Sequence, residues 1–274
     1  MLKRLINENR RSLGLTALLL LVEALLALLF PLVIGIAIDG AINENHGGIF
    51  KLGLLGFATL LIGAFRRMYD TRVYARIFQE ISPGILSRVK NPDPSTKSAR
   101  LGMIRELVEF LENSLPELIN AIIGLLGVLV ILATLNQTVF QASLVVAVLI
   151  MLIYWKSSNK TVRLNKEQND ELEKQVGILS ENNEPILRAH LQKMMKWNIK
   201  LSDLEVMNFS FSWLILLVFL AGTIHLSIQS GVTQYGLIFS LVMYVFQFIE
   251  SLISLPLYYQ GWLRLKEIIM RMES

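Results

Sequence analysis

Lys156–Val206 runs KSSNKTVRLNKEQNDELEKQVGILSENNEPILRAHLQKMMKWNIKLSDLEV. It is rich in charges and amides and too polar for a bilayer, yet strongly apolar runs flank it, Val139–Trp155 before and Phe209–Ser227 after. Leu164, Leu172, Val176 and Leu179 precede a break near Asn182–Pro185; Leu187, Leu191, Met194, Leu201 and Leu204 come after it. Most neighbours in these sets stand three, four or seven apart, which lays one apolar stripe along each of two helical arms. The pattern predicts two helices folded back on each other, carried into the cytoplasm by two membrane-spanning helices. Arms of roughly 20–24 residues reach about 30–36 Å at the α-helical rise.

Outward from this stretch the chain repeats the arrangement. Spans fit at Leu13–Ile38, Ile49–Phe65, Leu115–Leu135, Val139–Trp155, Phe209–Ser227 and Tyr235–Pro256. The 274 residues are 53% hydrophobic, with a mean hydropathy of +0.52. Soluble domains do not place such an excess in runs of about twenty residues. The first run is longer than a signal-peptide core and lacks a small-x-small cleavage site, so it is expected to be a retained span. Of 26 Lys and Arg, all but Lys51 fall in the N-terminus, the second-to-third and fourth-to-fifth connections, or the tail. The positive-inside rule then places both termini in the cytoplasm. Nucleic-acid binding would need a soluble basic face, which this layout does not offer. There is no cysteine, which excludes disulfides, thiolate metal sites and a Cys nucleophile.

Arg66–Ser114 is the second polar insertion. Val73, Ile77, Ile81 and Ile85 mark one arm, and Asn91–Thr96 with its two prolines is a strong breaker. Leu101, Ile104, Val108, Leu111 and Leu115 then form a seam spaced 3, 4, 3, 4. Pro116 suits a first helical turn or a mild bend. Pro31 should kink the first span. The expected fold is an all-α membrane protein, a single domain over residues 1–274, with six transmembrane helices and two long cytoplasmic helical hairpins.

This layout resembles the transmembrane domain of exporter-type ABC transporters. Tyr69-Asp70-Thr71-Arg72-Val73 with Arg76-Ile77 is similar to the cytoplasmic end of that family's second span. Ser98–Ile119 resembles the segment returning into the third, and Leu263–Met272 the short helix that leads to a nucleotide-binding domain. No G-x-x-x-x-G-K-[ST] occurs, nor any Gly-Lys pair, so this chain offers no phosphate cradle and no cofactor of its own is expected. The resemblance implies a permease half in the bacterial cytoplasmic (inner) membrane. It would pair as a homodimer and be energised by ATP on a separate ATP-binding subunit. It would export a small-molecule or peptide substrate. By position, the hairpin tips expected to dock on that ATPase carry Lys90, Asn91, Asp93 and Lys97, then Asn182, Glu184, Arg188 and His190. The alternative is a chain of this fold without ATP coupling, acting as regulator, scaffold or passive pathway.

Two carboxylates, Glu23 and Glu250, fall well inside spans, and no Lys or Arg is expected at similar depth. A charge there costs on the order of 2.5–3.5 kcal/mol on insertion scales unless it meets water or a partner. Glu23, Gln247 and Glu250 are therefore expected to line a cation-preferring or proton-linked pathway, against a plainer role in helix packing. His225 reads as packing, and His46 and His190 as loop or hairpin residues without metal-site spacing. The Lys166–Lys174 face reads as a solvated helix surface. No Ser/His/Asp or paired-carboxylate arrangement suggests catalysis.

Overall fold

The computed structural model describes residues 9–86, 94–180, 183–229 and 231–273, and they are almost entirely helical. In chain order the helices are α1 (Arg10–Ile42), α2 (Gly47–Leu86), α3 (Pro94–Glu109), α4 (Leu115–Leu135), α5 (Gln137–Glu173), α6 (Gln175–Ser180), α7 (Glu184–Gln229) and α8 (Tyr235–Glu273). A five-residue π-turn, Phe110–Ser114, joins α3 to α4. Six helices among the described residues, α3 and α4 counting as one, are long and apolar enough to cross a membrane. The 46 residues of α7 rise about 69 Å, more than twice a hydrocarbon core. The hairpin arms are thus direct continuations of spanning helices. The C-terminal segment expected as a separate short helix is likewise continuous with the sixth span in α8.

The chain divides into two compact units, Met1–Gln137 with Leu226–Ser274, and Thr138–His225. In the first, α1 shows the logic of a helix in lipid. Thr16, Leu20, Ala24, Leu28, Pro31 and Gly35 form its buried stripe. Leu18, Leu21, Leu25 and Leu29 point outward and exposed. Lipid is as apolar as leucine, so close contact is made by small residues and polar groups instead. At the Asp39 end of α1 the backbone meets α8 so closely that a Cβ on Gly236 would lie 2.0 Å from the Gly35 carbonyl oxygen. Three bonds join the helices there: Gly236 N–H to Asp39 Oδ1 (2.7 Å), Ser240 Oγ–H to the Pro31 carbonyl (2.8 Å) and the Tyr244 hydroxyl to the Leu28 carbonyl (2.8 Å).

The expected first hairpin is present in α2 and α3. Val73, Tyr74, Ile77 and Val108 form one buried cluster, and Ile85, Ile104 and Leu107 another. The seam does not run on unbroken to Leu115 as its spacing predicts. Pro116 has no N–H for the Glu112 carbonyl, and the chain accommodates this with a wider turn in which Leu115 N–H bonds the Phe110 carbonyl. One extra residue per turn swings the downstream helix by about 100°.

In the second unit α5 and α7 run antiparallel. Leu164 packs with Leu201, Leu204 and Trp197, and Asn208 Nδ2 donates to Ser157 Oγ at 2.8 Å. Two expectations are corrected. The first arm is not one helix up to Asn182: it breaks at Lys174, and the separate helix α6 begins after it. The apolar stripe is not buried throughout, since Leu172, Leu179 and Leu191 are 40%, 55% and 43% exposed. The packed core ends partway along the arms.

Candidate functional site

Polar residues recur at helical spacing along two membrane helices of the first unit. On α4 they are Glu117 and Asn120; on α8 they are Gln247, Glu250, Ser251 and Ser254. With Glu23 and the small residues Ala24 and Ala27 of α1, and Tyr258 farther along α8, they line a half-open cavity of about 300 Å³. Small side chains leave the space: a Cβ on Gly124 of α4 would come within 3.0 Å of Ser251 Oγ. Pro31 adds an acceptor, because it cannot donate to the Ala27 carbonyl one turn earlier in the wall.

The three residues expected to lie together, Glu23, Gln247 and Glu250, do share this cavity. Glu23 is not without a cation, however, and that expectation is corrected. Arg66 Nε donates to Glu23 Oε2, while Arg66 Nη1 reaches Asp70 Oδ2 at 2.9 Å. Arg66 and Asp70 are both buried, and Asp70 Oδ1 has no partner. The meeting is a consequence of the α1–α2 turn: Glu23 lies twenty residues before Asn43 and Arg66 twenty after His46. Gly63 keeps the approach open, since a Cβ there would lie 3.2 Å from Glu23 Oε1.

The lining has three carboxylates and no Lys or Arg. Two amide oxygens, Asn120 Oδ1 and Gln247 Oε1, are buried without partners. Burial first, and then the charges of Glu117 and, more weakly, Glu250, push the Tyr258 phenol above its ordinary value. Tyr258 therefore stays neutral. The wall carries an excess of carboxylates and two unpaired acceptors, an arrangement suited to a cationic, hydrogen-bond-donating group. It holds no nucleophile–base pair. Among the described residues no group of His, Asp and Glu is placed to hold a metal ion.

Hydropathy and charge along the sequence do not single out Glu117 and Asn120. Their signal is the i, i+3 polar pair just after Pro116, masked when the apolar seam is extended through the π-turn. Of the expected docking residues, Lys90, Asn91, Asp93 and Asn182 lie outside the described residues, as does the side chain of Lys97. Glu184 and Arg188 are exposed in the first turns of α7. His190 is not a tip surface residue: it is 2% exposed, and its Nδ1 lies 3.0 Å from Glu171 Oε1. Glu171, also buried, breaks the expected solvated face Lys166–Lys174. His225 is exposed on α7.

A search of curated proteins returns no match. A family model described as an ABC transporter transmembrane region matches residues 2–252. Together with the six membrane-length helices, this match shows that the chain belongs to the family of ABC transporter transmembrane regions and is a multi-pass membrane subunit of such a transporter.

Proposed function

We propose that this chain is the permease subunit of an ABC-type exporter, working as a homodimer in the bacterial cytoplasmic membrane with both termini inside. A separate ATP-binding subunit drives it through the hairpin tips, and the α1–α4–α8 cavity is the substrate pathway. The observation that carries the pathway is the convergence of Glu23, Glu117, Asn120, Gln247 and Glu250 on one cavity between membrane helices. Buried polar groups in a membrane are costly, and several converging on one space with acceptors left unpaired favour a passing cationic ligand.

Transport of an organic cation into inside-out vesicles is the test, with neutral and anionic compounds of similar size alongside. Glu250→Gln and Glu117→Gln are expected to lower cation transport at least severalfold while leaving the subunit in the membrane. Unchanged transport in both would remove the pathway. Copurification from native membranes tests energisation: a nucleotide-binding protein should come with the wild type and be lost on charge reversal at Glu184 and Arg188. A wild type that never carries such a protein would favour the reading without ATP coupling.

A further inference from the structure

The second hairpin carries a buried polar link at the point where its outgoing arm breaks. Glu171 lies three residues before the turn at Lys174, and its two oxygens face different partners. Oε1 meets His190 Nδ1 at 3.0 Å, and Oε2 meets Lys174 Nζ at 3.1 Å. Lys174 N–H also donates to the Glu171 carbonyl at 3.2 Å, and Ile178 N–H to that of Lys174 at 3.1 Å. One carboxylate thereby joins the end of α5, the turn and the returning helix α7. An ionised carboxylate only accepts, so Nδ1 carries the proton of this bond. His190 Nε2 is buried with no partner. Among the described residues the apolar cover here is thin: Leu172 and Leu179 are exposed on either side of the turn, and the Leu164–Leu201–Leu204 cluster is farther down the arms.

We propose that Glu171 and His190 form a releasable clasp whose task is to set the direction of the tip helix α6. They are positioning residues, acting on whatever meets the tip through α6 and not by touching it. The link is releasable because opening the arms hydrates both the carboxylate and the orphaned Nε2, so the closed state holds no large margin over the open one. Its effect on an ATPase rests on the docking role proposed for the tip; its effect on α6 does not.

The absence of native cysteine allows clean spin labelling of the full chain in lipid nanodiscs. One pair, Arg163→Cys with Leu179→Cys, reports α6 against α5. A second, Lys166→Cys with Lys196→Cys, reports the two arms. Wild type should give a narrow distribution for each. Glu171→Gln and His190→Leu should broaden or shift the first with the second retained, with a roughly tenfold rise in the open-to-closed ratio for a lost charge-assisted bond. His190→Gln, which keeps a side-chain N–H for the carboxylate, should restore much of the closed population; a merely space-filling role would be met as well by leucine. If the first distribution is the same in wild type, Glu171→Gln and His190→Leu, with arms intact, the clasp is refuted. If α6 moves as expected yet no nucleotide-binding protein associates with wild type, the clasp stands and the docking role falls.

Discussion

The two polar hairpins are built alike in sequence and held together differently. The α2–α3 hairpin closes on apolar contacts along its described length, with Val73, Ile77, Ile85, Ile104, Leu107 and Val108 all buried. The α5–α7 hairpin has one small apolar cluster among the described residues, flanked by polar links, Asn208 to Ser157 before it and His190 to Glu171 beyond it. A hydrophobic seam is non-directional and indifferent to pH in the ordinary range. A polar link is directional, costs desolvation, and can be undone by moving one proton. The same helix-turn-helix plan thus yields one stiff lever and one whose far end is adjustable.

The comparison breaks most sharply at the root of the first hairpin, where Arg66 meets Asp70 and Glu23. Arg66→Met would leave Asp70 buried and unpaired and Glu23 without its cation, and removing one partner of a buried pair costs about 3–5 kcal/mol. Thermal unfolding of the purified subunit in detergent should show the largest loss there. Adding Glu23→Gln and Asp70→Asn should recover much of it, because the penalty belongs to the stranded charges. Next comes the seam itself. Ile104→Ala removes a fully buried side chain, at about 2–5 kcal/mol. Leu191→Ala, at an exposed position of the second hairpin, should fall within about 0.5 kcal/mol. Equal losses from the two alanines would mean that the second hairpin has a core as continuous as the first, and the distinction would be gone.

Periodicity made the helices and the first seam legible, because burying one face of a helix requires apolar residues at 3–4 spacing whatever the details. It also predicted burial at Leu172, Leu179 and Leu191, where the pattern exists but the described chain leaves each side chain about half exposed. The cavity was half legible. Glu23, Gln247 and Glu250 stand out because charge and amide are rare in apolar runs. Glu117 and Asn120 needed the rotation introduced at the π-turn, which one proline signals but does not dictate. Arg66 could have been found by counting outward from the Asn43–His46 turn. The Glu171–His190 link had no such ruler: the break at Lys174 contains neither glycine nor proline, so the register of the returning arm against the outgoing one is set by tertiary contacts alone.

The smallest effect is the most specific to the second hairpin. Its hydrogen bond from His190, then that from Lys174, hold the Glu171 carboxyl below its ordinary value of 4.5, with the Lys193 charge adding to the same sense. A carboxylate whose folded-state value is depressed stabilises the fold fully above the unfolded value. That contribution fades as pH falls through the folded one. The α6 distance should therefore broaden as pH falls below the ordinary glutamate range. Glu171→Gln should already be broad at neutral pH and change little over the same interval. Labels across Val73–Ile85 and Leu101–Val108 of the first hairpin should record far less local opening, since the described clusters along that seam are apolar. A first hairpin that opened at the same pH as the second would show that acid acts on the subunit as a whole, and the adjustable end would lose its separate identity.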